Sequence, residues 1–380
     1  MRLAVICDLL EESWPSMDLV AEMLLMGLQA EPASAVHAER VCPTMVRRFS
    51  RLPFLGKRPA AHNTDRLLNR FWDYPRRIRR RFNDFDFFHI CDHSYAHLVH
   101  GLPRERTGVY CHDLDAFRCL LEPERERRPR WFLGLARRVL RGLQQAALVF
   151  CGSQAVREQI SRHGIMDAGR IIYAPYGVSS EFTSHAVQGD SPLPACIGSD
   201  APFLLHVGSC IPRKRIDVLL DTFAGLREAC PELRLVQVGG QWTKRERGQM
   251  ASRQITLAVT QLRGLDRHTL AALYRRAAVV LQPSDSEGFG LPVIEALACG
   301  AVVVASAIPV LREVGGNAAI YCPPGDVPAW IQAIDRLLRD PSSAPPRPVR
   351  LAQARRFSWA AHAQTILEAY QRLGAPSCAA

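Results

Sequence analysis

The most constraining feature of the sequence is a strand–loop–helix–strand unit between residues 278 and 305. Residues 278–282 (AVVLQ) are apolar and β-branched and stop at a proline, as a buried strand of a parallel sheet does. A helix follows Pro292 and ends before Gly300, and residues 301–305 (AVVVA) form the next strand. A glycine-bearing loop therefore lies at the carboxyl end of a strand, where open α/β sheets bind their ligands.

Two carboxylates flank this loop. Glu287 opens it, and Glu295 lies eight residues later inside the helix. Gly288 and Gly290 allow backbone amides to approach a ligand, and the amino end of the helix favours an anion. Carboxylates suit sugar hydroxyls, because they accept paired hydrogen bonds. The alternative is two ordinary solvated glutamates, but the glycines, the strand end and the spacing together favour a ligand site.

This segment resembles the signature of the retaining glycosyltransferases of family four, which adopt the GT-B fold. In that family two glutamates with seven residues between them bracket a Gly-Phe-Gly-Leu-Pro loop, as they do here. The resemblance implies that Glu287 is catalytic and contacts the donor sugar, and that Glu295 binds the ribose of the nucleotide. It also implies that the loop amides contact sugar and phosphate, through Gly288, Phe289, Gly290 and Leu291.

A second donor-binding element is expected after the strand at residues 203–207 (FLLHV). The turn that follows contains Arg213 and Lys214, and two cations at the start of a helix suit a diphosphate. The Pro-Arg-Lys step resembles the diphosphate clamp of the family, which implies that both side chains bind the donor phosphates. The family also borders the nucleotide base with the stretch that corresponds to residues 263–265, which implies a donor contact at Leu265.

Length and composition indicate two α/β domains. The 380 residues suffice for two cores, and 48% hydrophobic with 22% charged residues excludes a disordered chain. The resemblance spans nearly the whole chain and implies two Rossmann-like, doubly wound parallel-sheet domains facing each other across a cleft. We expect an acceptor-binding domain at 1–180, a linker at 181–201 and a nucleotide-sugar-binding domain at 202–357. A final helix at about 358–373 is expected to pack back on the first domain.

Polar residues follow two predicted strands of the first domain. Residues 87–91 (FFHIC) precede Asp92 and His93, and residues 108–111 (GVYC) precede His112. Parallel strands place such residues at one edge of a sheet. The His-Asp step resembles a feature of the family, which implies that His112 hydrogen-bonds the transferred sugar or orients the acceptor. The alternative is a structural histidine satisfied by a backbone carbonyl. Asp92 and His93 are acceptor-side candidates.

The chain departs from the family pattern in three places. The loop at residues 9–16 lacks the Gly-Gly pair that approaches the diphosphate in many relatives. Ser209 stands where relatives often have an arginine, and Tyr176 stands where asparagine is usual. The first two departures favour a non-catalytic scaffold protein as an alternative, since a fold alone does not determine a function.

The charge distribution leaves three interpretations open. The net charge is +11, and arginine-rich runs lie at residues 76–81 and 122–130. They could be solvated helix faces, an anionic membrane contact or a nucleic-acid surface. The runs lack interleaved aromatic residues and no nucleic-acid-binding motif is present, so we expect no nucleic-acid partner. A membrane contact would suit an enzyme with a lipid-linked acceptor.

The sequence also predicts the cellular location. No apolar run approaches the roughly 20 residues of a membrane span. The amino terminus has the pattern of a first β-strand rather than a signal peptide. The 12 cysteines occur singly, without the spacing of a zinc site, and are expected to be reduced thiols. We therefore expect a cytoplasmic protein, with peripheral attachment to the inner face of the membrane as an open possibility.

The expected activity is transfer of a sugar from a UDP- or GDP-linked donor to a glycan or lipid-linked acceptor. The resemblance implies retention of anomeric configuration, with the leaving phosphate accepting the proton of the acceptor. No Asp-x-Asp metal motif stands in the loops of Lys214 and Glu287, so we expect neither a metal nor another cofactor. Besides the scaffold alternative, a different GT-B sugar-nucleotide enzyme, such as a hexosamine epimerase, would share the two-domain plan.

Overall fold

A computed structural model of the chain describes residues 1–12, 14–30, 36–54, 58–186, 194, 197 and 201–375. The chain forms two compact units. The first contains Met1–Tyr176 and the segment that begins at Trp359, and the second is Gly177–Ser358.

Each unit contains a sheet of six parallel strands. The strands of the first are β1 (Arg2–Ile6), β2 (His37–Val41), β3 (Phe87–Ile90), β4 (Thr107–Cys111), β5 (Leu148–Cys151) and β6 (Ile171–Tyr173). Those of the second are β7 (Phe203–Val207), β8 (Arg234–Val238), β9 (Val259–Leu262), β10 (Val279–Gln282), β11 (Val303–Ser306) and β12 (Ile320–Cys322). The predicted pair of Rossmann-like parallel-sheet domains is confirmed.

Helices connect the strands within each sheet. In chain order they are α1 (Pro15–Gln29), α2 (Pro59–Leu68), α3 (Tyr74–Arg79), α4 (Arg118–Leu121), α5 (Arg130–Gln145), α6 (Gln154–Arg162), α7 (Ile216–Ala229), α8 (Lys244–Ser252), α9 (Arg267–Arg276), α10 (Leu291–Ala298), α11 (Pro309–Gly315), α12 (Val327–Arg339), α13 (Arg347–Ala354) and α14 (Trp359–Gly374). A π-helical turn, Asn69–Asp73, joins α2 to α3. No helix formed by the described residues is long and apolar enough to cross a membrane.

The strand order of each sheet reverses once. The first sheet has the order β2-β1-β3-β4-β5-β6, so its reversal lies between β1 and β3. The second has the order β12-β11-β10-β7-β8-β9, so its reversal lies between β7 and β10. At a reversal the chain leaves the two neighbouring strands in opposite directions, which opens a crevice at their carboxyl ends. Ligands are therefore expected to bind at the loops after β1, β3, β7 and β10.

The final helix α14 belongs to the first unit. His362 Nδ1 lies 3.1 Å from the carbonyl oxygens of both Ala174 and Pro175, next to the end of β6. The Tyr370 hydroxyl donates to the carbonyl of Phe88 in β3, at 3.0 Å. These contacts bind the last segment of the chain to the sheet formed by the first 176 residues.

The start of the predicted linker is packed on the second unit. Glu181 Oε1 lies 3.5 Å from Arg267 Nη1, and Arg275 Nη1 donates to the carbonyl of Thr183 at 3.2 Å. The rings of Phe182 and Tyr274 lie 5.9 Å apart. Residues 181–183 therefore pack on α9, which the lack of periodicity in this segment did not reveal. Of the remaining predicted linker, residues 187–193, 195–196 and 198–200 lie outside the described residues.

Two other segments differ from expectation. Residues 340–350 are rich in proline, a composition typical of an exposed loop, but α13 begins at Arg347. The proline at 348 was interpreted as a loop signal, although proline is favoured in the first turn of a helix. Residues 41–83 gave no clear pattern, and there the structure contains α2, the π-helical turn and α3. Interruption of the helical repeat by the extra residue of the π turn explains the missing periodicity.

Candidate active site

Two loops are joined at the reversal of the second sheet. β7 pairs with β10 on one side and with β8 on the other. The loop after β7 ends in a 3₁₀ turn, Pro212–Lys214, and the loop after β10 leads to Glu287. The amide of Asp285 donates to the carbonyl of Arg213 at 2.8 Å. The structure thus brings together the two donor-binding elements that the sequence predicted separately.

Glu287 accepts hydrogen bonds from four side chains. Its Oε1 lies 2.6 Å from Lys214 Nζ, 2.7 Å from Ser284 Oγ and 2.6 Å from Gln282 Nε2. Its Oε2 accepts from Arg213 Nη1 at 3.1 Å. Burial alone would raise the pKa of this carboxyl, but the charges of Lys214 and Arg213 outweigh burial and lower the pKa to about 2. Glu287 is therefore a carboxylate at neutral pH.

The contact of Glu287 with the donor sugar stays a prediction, and the structure adds a contact of this carboxylate within the protein. The prediction was direct contact with the donor sugar, whereas here both carboxylate oxygens bind Lys214 and Arg213. An ammonium has three donors, so Lys214 can bind Glu287 and a phosphate at the same time. What Glu287 does in this structure is hold the two cations at the carboxyl end of the sheet.

Arg215 fixes the geometry of the same turn. Its φ of 49° is in the left-handed region, which costs a non-glycine residue about 1 kcal/mol or more. Its guanidinium binds Asp217, at 3.0 and 3.2 Å, and Asp285, at 3.0 and 3.1 Å. These ion pairs hold the start of α7 against the loop after β10. The basic step thus contains two cations beside Glu287 and a third that braces the turn.

The glycine loop at residues 288–291 precedes α10 as predicted. Gly290 has a φ of 99°, and a Cβ at this position would lie 2.8 Å from Leu311 Cδ2, so glycine is required here. Phe289 is buried, with its ring 5.5 Å from that of Phe357. The predicted donor contact of Phe289 is therefore restricted to its main chain. Gly288 and Leu291 are partly exposed.

Glu295 is buried and has a different ionisation from Glu287. Its Oε2 accepts a hydrogen bond from the Tyr274 hydroxyl of α9 at 3.0 Å. Burial raises the pKa of Glu295 to about 7, although Tyr274 and Arg267 act in the opposite direction. The predicted base contact, Leu265, is partly exposed in the loop that precedes α9. Glu295 and the loop of Leu265 are thus connected through one helix.

Two polar residues of this site, His206 and Gln282, were not among the predicted site residues. His206 Nδ1 donates to the carbonyl of Leu281 at 2.9 Å, and its buried Nε2 has no hydrogen bond within the described part of the chain. Burial lowers the pKa of His206 to about 4, so the ring is neutral. Gln282 binds Glu287 from the end of β10. Both interrupt otherwise apolar strands, and that interruption is the signal that could have identified them.

In the first unit, the loops after β3 and β4 bring the predicted acceptor-side residues together. Asp92 accepts hydrogen bonds from the amide and the hydroxyl of Ser94, at 2.7 and 2.6 Å, and its Oδ1 lies 3.3 Å from His93 Nδ1. His93 Nδ1 also accepts from the amide of His112 at 3.3 Å. Burial acts to raise the pKa of Asp92, but His93, His112 and Ser94 outweigh it, so this pKa is well below its usual range.

Both ring nitrogens of His112 are engaged inside the first unit. Its Nε2 lies 2.7 Å from the carbonyl of Cys91, and its Nδ1 contacts the Tyr176 hydroxyl. Burial lowers the pKa of His112 to about 4. Donation from Nε2–H to the carbonyl and from the tyrosine hydroxyl to Nδ1 satisfies the neutral ring. The structure therefore favours the alternative considered above, a structural histidine. Tyr176, the residue that replaces the usual asparagine, completes that arrangement.

Asp8 also lies at this edge, directly after β1, and the sequence analysis did not select it. It is 5% exposed, and its carboxylate oxygens have no hydrogen-bond partner in the described ranges. Burial, reinforced by Asp92, raises the pKa of Asp8 well above its ordinary value. The two carboxyls at the reversal of the first sheet therefore differ in pKa, which is raised in Asp8 and lowered in Asp92.

No group of three or more histidine, cysteine or acidic side chains that could hold a metal ion occurs among the residues described. The absence of a metal requirement stays a prediction, because it depends on the donor complex.

Two family models match the chain. The model described as glycosyl transferases group 1 matches residues 196–371, and the model described as Glycosyltransferase Family 4 matches residues 31–182. The first match contains the loops of Lys214 and Glu287. The second contains Asp92, His93 and His112.

Curated proteins show the same relationship. The O-antigen chain mannosyltransferase B of Escherichia coli is 30% identical over 328 residues, which cover 85% of this chain and 83% of that protein. A D-inositol 3-phosphate glycosyltransferase of Stackebrandtia nassauensis is 33% identical over 224 residues, or 54% of this chain and 49% of that protein. The match thus covers about half the length of the second relative.

Solved structures share the fold over the full length. Sucrose-phosphate synthase from Thermosynechococcus elongatus has a TM-score of 0.70 at 21% identity, covering 98% of this chain and 99% of that one. HepE from Anabaena, solved in complex with UDP and glucose, has a TM-score of 0.73 at 16% identity with the same coverage. At such identities the comparison establishes the GT-B fold. Together with the mannosyltransferase match over most of both sequences, it shows that this chain belongs to the group 1 glycosyltransferases.

Proposed function

We propose that this glycosyltransferase transfers a hexose from a nucleoside diphosphate sugar to a glycan or lipid-linked acceptor, with retention of anomeric configuration and without a metal ion. The observation that best supports the proposal is the array of Lys214, Arg213 and Glu287 at the reversal of the second sheet. Two cations held by one ionised carboxylate supply the positive charge that a metal ion supplies to a diphosphate in other enzymes.

The proposed donor is linked to UDP or GDP. HepE was solved with UDP and glucose, and the Escherichia coli relative is named as a mannosyltransferase. In this chain the phosphates would lie against Lys214, Arg213 and the amides before α10. The ribose hydroxyls would lie against Glu295. Recognition of the base through main chain near Leu265 would distinguish UDP from GDP by shape.

The proposed mechanism follows from the position at which charge develops during sugar transfer. The bond between the anomeric carbon and the diphosphate oxygen breaks, and the acceptor oxygen forms the new bond on the same face. The proton of the acceptor hydroxyl passes to the departing diphosphate oxygen. Lys214 and Arg213 stabilise the charge that develops on the diphosphate, and their positions are set beforehand by Glu287, which is how electrostatic preorganisation lowers a barrier.

The proposed acceptor binds the first unit, at the edge formed by Asp8, Asp92 and His93. Carboxyl groups at the end of a sheet suit the hydroxyls of a sugar acceptor. His112 acts here as a positioning residue, because its amide binds His93 and its ring is satisfied within the protein. A lipid-linked acceptor would be presented at a membrane, so we also propose peripheral contact with anionic lipid.

Calorimetric titration with UDP- and GDP-linked glucose and mannose tests the donor site. We expect micromolar binding of one donor to the wild type and loss of that binding in Lys214→Ala. Lys244→Ala is the matched control, because Lys244 is an exposed lysine at the start of α8 in the same unit. Absence of binding by every donor at millimolar concentration would favour the scaffold alternative. Equal losses in both lysine variants would exclude a specific role for Lys214.

A further inference from the structure

Large hydrophobic side chains are exposed in one short stretch of the first unit. Between residues 49 and 82 the exposed side chains are Phe49 (41%), Leu52 (44%), Phe54 (98%), Leu68 (37%), Trp72 (58%) and Phe82 (39%). Soluble monomers seldom expose clustered apolar groups of this size, and such clusters mark contact surfaces.

The same stretch is strongly basic. Its exposed cationic side chains are Arg47, Arg48, Arg51, Arg58, Arg76, Arg79 and Arg80. The acidic residues between positions 47 and 82 are Asp65 and Asp73. Asp65 is buried and accepts hydrogen bonds from the amides of residues 48, 49 and 50, and Asp73 forms a two-bond ion pair with Arg48. Neither acid reduces the positive charge presented by the remaining arginines.

Side-chain contacts join the beginning of this stretch to the helical residues that follow it. Asn69 binds both the amide and the carbonyl of Val46, at 2.7 and 2.8 Å, and Asp65 binds the next turn, so residues 46–50 are fixed against α2. The Arg76 guanidinium lies 3.2 Å from the centre of the Trp72 ring. We call residues 47–54 and 68–80 the arginine–aromatic surface.

The backbone conformation and the exposure of Phe54 indicate that the exposed apolar groups have a function. It has a φ of 68°, a conformation in which glycine or asparagine is favoured over an aromatic residue. A phenylalanine that is both strained and almost wholly exposed gains nothing in the free protein. A residue held in an unfavourable backbone conformation is a reason to suspect function.

The second basic run differs in its charge balance, although the exposed Trp131 follows it directly. At residues 122–130, Arg125 pairs with Glu122 at 3.0 Å and Arg128 pairs with Glu126 at 2.6 Å. Its charge is therefore largely neutralised within the run, as expected for a solvated surface.

We propose that the arginine–aromatic surface binds an anionic lipid bilayer. Arginines pair with lipid phosphates, while tryptophan and phenylalanine insert at the level of the headgroups. The aliphatic Leu52 and Leu68 fit an acyl boundary and have no π face on which a base could stack, so the composition favours lipid over nucleic acid. This inference rests on the peripheral lipid contact proposed above and assigns it to a defined surface, and its test does not require activity.

Vesicle flotation with phosphatidylcholine alone, and with added phosphatidylglycerol, measures the binding. We expect binding to the anionic vesicles and at least a tenfold weaker partition coefficient for Phe54→Ser combined with Trp72→Ser. Leu257→Ser is the matched control, because Leu257 is 93% exposed in the second unit. An equal loss in the control, or binding that is insensitive to the double change, would overturn the proposal.

A second pair of variants separates surface position from net charge. Arg76→Gln, Arg79→Gln and Arg80→Gln together should weaken binding to anionic vesicles at least tenfold. Arg336→Gln, Arg339→Gln and Arg355→Gln remove the same charge from exposed positions of the second unit and should leave binding within about twofold. Equal losses in the two triple variants would show that vesicle binding depends on the net charge of the protein and not on this surface.

Binding of a single-stranded oligonucleotide in place of vesicles would identify a nucleic-acid surface and reject the lipid proposal. Donor titration should be unchanged in all four variants, which keeps this test separate from that of the donor site.

Discussion

Glu287 and Glu295 are both buried, yet they ionise differently because their neighbours differ. Glu287 has Lys214 and Arg213 beside it, and their charges offset the cost of burying a carboxylate. Glu295 has one tyrosine hydroxyl at 3.0 Å and an arginine that acts at longer range, so burial dominates. A buried carboxylate keeps its charge only where cations or several donors replace water. At neutral pH the first is an anion and the second titrates.

The ionisation of Glu295 predicts a pH dependence of nucleotide binding. If its carboxylate accepts hydrogen bonds from the ribose, deprotonation through a pKa of about 7 should strengthen UDP or GDP binding. Between pH 6 and pH 8 the gain is up to about tenfold, because the ionised fraction rises from roughly a tenth to nine tenths. The diphosphate ionises in the same range, so the quantity to measure by calorimetry is the affinity ratio of wild type to Glu295→Gln. A ratio that does not vary with pH would exclude the ribose contact.

We expect Lys214 to contribute to the stability of the fold as well as to donor binding. Replacing it with methionine leaves the buried Glu287 with one cation, which should lower the free energy of unfolding at pH 7 by about 3 kcal/mol. The pKa of Glu287 is depressed, so its stabilising contribution is present above pH 4.5 and is lost as the pH falls toward 2. The difference between wild type and Lys214→Met should therefore shrink in acid. Urea unfolding at pH 7 and pH 3 measures it.

A double-mutant cycle provides the control for that prediction. In Glu287→Gln the carboxylate charge is absent, so adding Lys214→Met should cost less than it does in the wild type. Additive losses would show that Lys214 and Glu287 do not interact in solution.

His112 should stay neutral over the physiological range. Its pKa is lowered to about 4 by burial, and Cys91 and Tyr176 satisfy its ring nitrogens. Nitrogen NMR should therefore show one fixed tautomer, protonated at Nε2, without titration between pH 5.5 and 8. Tyr176→Phe removes the donor to Nδ1 and should lower stability by about 1–3 kcal/mol. Titration of His112 near pH 6.5 in the wild type would contradict the structural role and restore the predicted contact with the transferred sugar or the acceptor.

At the scale of elements, the apolar runs predicted β1, β3, β4, β7, β10 and β11, because strands buried on both faces are continuous hydrophobic segments. The same reasoning predicted that the loops after β7 and β10 lie at one edge. It did not predict that Lys214 binds Glu287 directly, because the pairing depends on the conformations of two side chains that are 73 residues apart in the chain. Nor did it predict the Tyr176 contact with His112, which likewise joins distant segments. The loops lie at the predicted positions, whereas the predicted roles of their side chains stay predictions.

The glycine loop before α10 allows a test at this scale. Gly290→Ala places a side chain at a φ of 99° and a Cβ 2.8 Å from Leu311. We expect a loss of stability of at least about 1 kcal/mol and weaker donor binding, since the amides at the start of α10 shift. Gly134→Ala is the matched control, because Gly134 lies in a helix and a Cβ there meets nothing within 4 Å. Normal donor affinity in Gly290→Ala would show that these amides do not contact the donor.

At the scale of the whole molecule, the proposed donor-binding and acceptor-binding features lie in different units. The second unit contains the paired cations and the glycine loop, and the first contains the carboxyl edge and the arginine–aromatic surface. Each unit has its own buried core within the described residues. Separate cores imply that a ligand stabilises first the unit that binds it, because binding to the native state alone raises stability by mass action.

Hydrogen exchange with a bound nucleotide is the test of this division. At about 100 times the Kd, UDP or GDP should add about 2.7 kcal/mol to the stability of the binding unit. We expect slower exchange in peptides that contain residues 208–215 and 284–295, which include the paired cations and the amides before α10. Peptides of the loops after β1 and β3 should respond to an acceptor sugar instead. Lys214→Ala should abolish the nucleotide effect and Lys244→Ala should preserve it. Nucleotide-dependent protection confined to the loops of the first unit would place the donor in that unit and contradict the proposed roles of the two units.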